Sequence, residues 1–295
     1  MKAVVAGDVL FEVNGHLRAT FPSLLTDRLF YGDVAAVVGG SAANFALAAT
    51  ALFDEVVAVA AVGGDAVGEV IRAQLEHRGV RARLAVKPDL PSAVAIYVRD
   101  EAEHRAKGAR LLLVGEPAAL GQWDTGDAET LRSELVDADV LVVDGYALRA
   151  EPRRAATLTL MAQARASGAE VVYDIVPHDV FRSTGIAEVR RYGRSATIIV
   201  AEARTLNALA GEDWTDADTG EQAAHRAATF GARTFPGRRL HVRFGLGNAD
   251  RTLTLSPDGD VEIMATGYAE SDEPRGFGDR LLASELATLL RGRRT

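Results

Sequence analysis

The sequence predicts an α/β fold: a mostly parallel central sheet covered by helices on both faces, with a small extra β-sheet beside it. Three observations carry this. Short β-branched runs such as residues 140–143 are apolar throughout rather than alternating, as strands buried on both faces are. Ala/Leu-rich stretches long enough for helices separate them. Two segments, roughly 9–38 and 92–114, break that rhythm with short extended pieces and turns. No linker rich in Pro, Gly or Ser divides the chain, and no repeat or low-complexity tract is seen. Residues 1–295 therefore read as one domain, with those two segments forming a lid.

The elements follow in order. Ala3 to Ala6 reads as the first strand, Ser41 to Phe53 as a helix, and Glu55 to Val62 as a buried strand. Asp65 to Arg78 is a helix that Asp65 caps. Ala93 to Val98 and Leu111 to Val114 look like an antiparallel pair. Val140 to Val143 is the next strand, and Pro152 to Ser167 a helix with proline in its first turn. Glu170 to Ile175, Thr197 to Ala201 and Leu240 to Phe244 are further strands. A hairpin, Thr252 to Leu255 with Val261 to Met264, turns on Pro257-Asp258-Gly259. The last helix runs from about Phe277 to Leu290.

Composition narrows the function. A net charge of −8 argues against broad nucleic-acid binding, yet a local basic pocket can still hold an anion. Without cysteine there is no disulfide, thiolate zinc site or cysteine nucleophile. The N-terminal residues carry no signal-peptide pattern, and no run of about 18 apolar residues occurs. The expectation is a cytoplasmic protein with neither membrane nor nucleic-acid partners. The six histidines are scattered without metal-ligand spacing and read as surface or packing residues. Trp123 and Trp214 read as packing anchors.

Three stretches can carry chemistry. In Gly276-Phe277-Gly278-Asp279, glycines ahead of a helix expose N–H groups at the positive end of its dipole. A carboxylate there can take a proton from a hydroxyl nucleophile. Taken alone, the stretch reads more simply as a turn and a helix cap. Gly39-Gly40-Ser41-Ala42-Ala43-Asn44 also enters a helix. Its glycines permit close approach of a ligand, and Asn44 offers both donors and acceptors to a polyol; tight packing explains it equally well. Asp8 and Glu12 follow the first strand, where parallel sheets bind ligands, and suit sugar hydroxyls or a solvated turn.

Together, in this order, the stretches resemble the ribokinase-like (PfkB) carbohydrate kinase family. The resemblance takes in Glu12, Gly39-Gly40 with Asn44, residues 62–68, Arg105 and Gly115, residues 143–146 and 173–177, and Gly276 to Asp279. It implies a three-layer α/β/α fold with a small β-lid, and a kinase using ATP and Mg²⁺ on a small polyol. It implies Asp279 as general base, and the N–H groups of Gly276, Phe277 and Gly278 around the phosphoryl group. Glu12, Gly39, Gly40, Asn44 and Arg105 would meet the acceptor. A homodimer through the lid is a further expectation.

On the donor side the sequence departs from the family. Glu202-Ala203-Arg204-Thr205 replaces Asn-x-x-Glu, leaving Glu202 as the metal candidate, acting through water, or as a plain helix-capping acid. Arg243-Phe244-Gly245-Leu246-Gly247 replaces the Thr-x-Gly strand end, so Arg243, Gly245 and Gly247 are nucleotide candidates, with Arg243 either pairing with phosphate or simply filling the pocket. Arg275 stands where the family has threonine and adds a cation. The chain ends one helix after Asp279, so the adenine site is expected to be shallow or shared with another subunit. Three readings stay open: an ordinary kinase, a phosphotransferase with an unusual donor, or a binder of sugars or nucleosides without catalysis.

Overall fold

The computed structural model describes residues 1–21, 32–100, 110–176, 180–211, 220–245, 251–265 and 276–293. Its strands are β1 Lys2–Ala6, β2 Leu10–His16, β3 Asp33–Gly39, β4 Glu55–Gly63, β5 Arg81–Lys87, β6 Val94–Arg99, β7 Arg110–Val114, β8 Val140–Asp144, β9 Glu170–Ile175, β10 Ile198–Glu202, β11 Arg239–Phe244, β12 Arg251–Leu255 and β13 Val261–Ala265. Its helices are α1 Ser41–Ala49, α2 Ala66–His77, α3 Thr125–Glu129, α4 Arg132–Leu135, α5 Arg153–Ala166, α6 Val180–Gly193, α7 Ala203–Leu209, α8 Glu221–Thr234 and α9 Phe277–Gly292.

The central sheet has the order β13-β12-β11-β10-β9-β8-β1-β4-β5. It is parallel from β5 through β11, and β12 and β13 add an antiparallel edge. Successive strand side chains point to opposite faces. Val4, Ala6, Leu141 and Val143 join one core cluster with residues of α5, α7 and α8. Ala3, Val5, Val140 and Val142 join a second cluster with α1, α2 and α9. That is a sheet between two helical layers. Leu282, Leu286 and Leu290 recur every fourth residue along α9, and burying each contributes about 1.5–3 kcal/mol. These leucines fasten the helix whose first turn carries Asp279.

A second sheet has the order β3-β2-β6-β7. The expected antiparallel pair is β6 with β7, while β2 runs parallel to β6 and antiparallel to β3. Several elements depart from the sequence reading. Edge strand β5 escapes it because Arg81, Arg83 and Lys87 interrupt the apolar run; Arg81 and Arg83 pair with Glu134. α1 stops at Ala49, whose carbonyl accepts from the N–H groups of Leu52 and Phe53 in a turn. Pro152 precedes α5 rather than sitting in its first turn. α6 is broken at Gly185, with φ 72°. Among the described residues, no helix is long and apolar enough to cross a membrane.

Candidate active site

Parallel strands end together, and the loops leaving them form a crevice. At that edge β1 releases Gly7 and Asp8, while β8, β9, β10 and β11 carry Asp144, Asp174, Glu202 and Arg243. Asp8 pairs with Arg153 at 2.7 Å, and its backbone N–H donates to Asp144 at 2.8 Å. Burial pushes the Asp144 carboxyl up to about 7, helped by the charge of Asp8 and opposed by Arg153. Gly7 is needed beneath it, because any Cβ would collide with that carboxylate.

The second sheet brings the next group in. β2 and β3 pair with Leu10 opposite Gly39, and a Cβ on Gly39 would collide with the carboxylate of buried Glu12. Gly40 caps α1 with φ 92°, a conformation that favours glycine. Its missing side chain leaves room for the carbonyl of Asp8. The chain then enters α1, placing Ser41 and Asn44 in its first turn.

α9 meets that turn. Gly276 has φ 64° and ψ 17°, and a Cβ there would lie 3.0 Å from Asn44. Ser41 Oγ donates to Asp279 at 2.9 Å. Burial pushes the Asp279 carboxyl up to about 7, and the charge of Asp174 adds to the effect. The hydrogen bonds of Ser41 and Asn44 and the charge of Arg243 oppose it. Arg243 is 8% exposed, and its Nη1 would be 2.8 Å from a Cβ on Gly278. The nearest oxygen of Asp174 is 3.8 Å from Nη1. Burial raises the Asp174 carboxyl to about 6 despite Arg243. Burial alone would weaken the charge on Arg243, but Asp174, Glu285, Asp279 and Glu202 outweigh it. Further along α9, buried Glu285 bonds His241 Nδ1 at 2.9 Å and accepts from Thr252 at 2.5 Å.

The structure thus gathers Asp279, Gly276, Gly278, Gly39, Gly40, Asn44, Glu12 and Arg243 into one neighbourhood. Phe277 turns its ring inward, leaving only its backbone to a ligand. Gly245 lies exposed past β11 with φ 117°. Glu202 forms an ion pair with Arg204. Arg105, Gly247 and Arg275, with Trp214, lie outside the described residues. Sequence reasoning missed the roles of Ser41, Arg153, Asp144, Asp174 and Glu285. Asp144 and Asp174 did carry a signal, as acids closing apolar strands.

A sequence model of the pfkB family carbohydrate kinases matches residues 31–235, more than half of the chain. The chain belongs to the PfkB carbohydrate kinase family. By its description, that family is one of carbohydrate kinases. The matched span ends before α9, so the glycine turn rests on its own geometry. A curated 5-dehydro-2-deoxygluconokinase from Photobacterium profundum is 31% identical over 144 residues. The match covers 47% of this PfkB chain and 40% of that protein, under half of either. A putative ribokinase from Agrobacterium tumefaciens shares the fold with TM-score 0.76 at 18% identity, over 99% of this chain and 85% of that one. A fructokinase with bound ATP from Xylella fastidiosa does so with TM-score 0.73 at 17% identity, over 98% and 82%. At such identities the likeness is one of fold, and that fold is ribokinase-like.

Proposed function

We propose that this PfkB protein transfers a phosphoryl group from ATP to a hydroxyl of a sugar, nucleoside or cyclitol, in the cytoplasm, with Asp279 as general base. One observation carries the reading. A carboxylate stands at the start of α9, directly behind a left-handed glycine turn and 2.9 Å from Ser41 in the first turn of α1, where desolvation pushes it up to about 7. A base poised near the working pH combines availability with driving force.

Glu12, Asn44 and the backbone at Gly39 and Gly40 face the acceptor hydroxyls. The lid role belongs to the second sheet, whose strands β2 and β3 carry Glu12 and Gly39. Asp279 takes the hydroxyl proton as the oxygen attacks. The N–H groups at the start of α9 meet the negative charge on the transferring group. When bound, ATP supplies the phosphoryl group and Mg²⁺ shields its charge. The unpartnered nitrogens of Arg243 fit a phosphate. The fit to the divalent ion is poorer. Glu202 is engaged with Arg204, and no group of three or more ligating side chains comes together among the described residues. Charge neutralisation therefore leans on α9 and Arg243.

A sugar acid is the acceptor to try first. Arg153 is buried beside Asp8, and its Nη2 has no partner among the described residues, which suits a carboxylate. The similar protein from Photobacterium profundum is named for such an acceptor. A phosphoryl-transfer screen over sugars, sugar acids, nucleosides and cyclitols tests the reading. Asp279→Asn should lose most turnover while still binding the acceptor. A variant that turned over a verified substrate at the wild-type rate would end the base assignment.

A further inference from the structure

Resting on that reading and deepening it, we infer that Arg243 belongs to the anion site: its guanidinium and the glycine turn ahead of α9 close on one phosphate group, the terminal phosphate of the donor. A guanidinium carries five N–H donors. In Arg243, Nε and Nη2 are buried without a partner among the described residues. The oxygen of Asp174 at 3.8 Å lies beyond hydrogen-bond distance. Nearby acids balance the charge of Arg243, but buried N–H donors without acceptors remain costly, and phosphate oxygens beside them supply those acceptors.

Direction says where the anion sits. Nη1 reaches the backbone of Gly278, where even a methyl group would crowd it at 2.8 Å. The guanidinium therefore underlies the first turn of α9, whose free N–H groups favour a phosphate. A planar fork pairs with two phosphate oxygens at once. At this strand end the family pattern has a hydroxyl, which carries no charge. Arginine brings a full positive charge to the side of the site where Glu202 is tied up by Arg204.

The test reads equilibrium binding of inorganic pyrophosphate to the full chain by calorimetry, with no acceptor present. Wild type should bind, with ATP competing. Arg243→Gln should weaken binding about tenfold or more, and Arg243→Lys should restore part of it. Undiminished binding by a folded Arg243→Gln protein overturns the inference, as does a wild type that binds no pyrophosphate. Competition by a phosphorylated sugar but not by ATP overturns the assignment to the donor. Should Arg243→Gln fail to fold, Gly278→Ala displaces the guanidinium instead, and binding retained there is equally fatal. The readout needs no turnover. Pyrophosphate binding that depends on Arg243, in a protein that phosphorylates no polyol, would sink the proposed function and leave the anion site standing. Kinase activity with pyrophosphate binding indifferent to Arg243 would do the reverse.

Discussion

Asp279 differs from an ordinary helix-capping acid through its neighbours. Half-buried in the first turn of α9, its carboxyl is pushed up to about 7 by desolvation and by the charge of Asp174. In the unfolded chain the same group titrates at its ordinary value of 3.8. Between those values the folded state binds the proton more tightly, so stability falls as pH rises, and the penalty is complete above about 7. Asp279→Asn removes that penalty. It should melt above wild type at pH 8 by roughly 1–2 kcal/mol after solvent screening, and the gap should close toward pH 4. Thermal unfolding of both proteins across that range measures it. Asp144 and Asp174 titrate in the same window and are common to both proteins, so the difference reports Asp279 together with its coupling to Asp174. A gap that stayed constant with pH would contradict the raised carboxyl. The same value predicts a turnover that falls as pH drops below about 7. At this scale the sequence was legible where residues act through local spacing, as in Gly276 to Asp279 and Gly39 to Asn44. It was silent on Ser41, which meets Asp279 across 238 residues, and on Arg153, which meets Asp8 across 145. Only the sheet brings those partners together.

At the scale of elements, α9 decides where the base stands. Its apolar side was legible as helical periodicity, and the leucines do face the core. Its polar anchor was not, because Glu285 reads as an ordinary helix-surface acid. In the structure it is buried between His241 on β11 and Thr252 on β12. Burial would raise its carboxyl, but the bond to His241, the charge of Arg243 and the bond to Thr252 bring it below the usual range. A depressed acid contributes stability above its unfolded value and loses it as pH falls through the folded one. The clamp should therefore weaken on acidification. Glu285→Ala leaves His241 and Thr252 without their partner and should cost about 3–5 kcal/mol in denaturant unfolding. It should also lower turnover, because the first turn of α9 is no longer held against β11. A loss under about 1 kcal/mol, within the range of a surface pair, would show that the leucines alone fix the helix.

Over the whole molecule, the three layers were the most legible feature, since a continuous apolar strand can be buried only between two covers. The arrangement of the second sheet was less so, because its strands come from segments about 80 residues apart and pair in mixed directions. Among the described residues, β7 pairs with β6 on one side and with no strand on its outer edge. Leu111, Leu112 and Leu113 of β7 are 46–55% exposed, with apolar groups on both faces of the strand. A free edge of this kind invites another strand, and charge normally protects it. A second copy placing its own β7 alongside about a two-fold axis would satisfy the edge and cover the leucines on both chains. The two lids would then be held in register, each beside its own Glu12. Sedimentation at tens of micromolar should give twice the mass of the chain. Leu111→Lys with Leu113→Lys charges one face of β7 and should give the single mass with the melting transition kept. A wild type that sediments at the single mass throughout would remove the dimer and leave β7 needing a different cover.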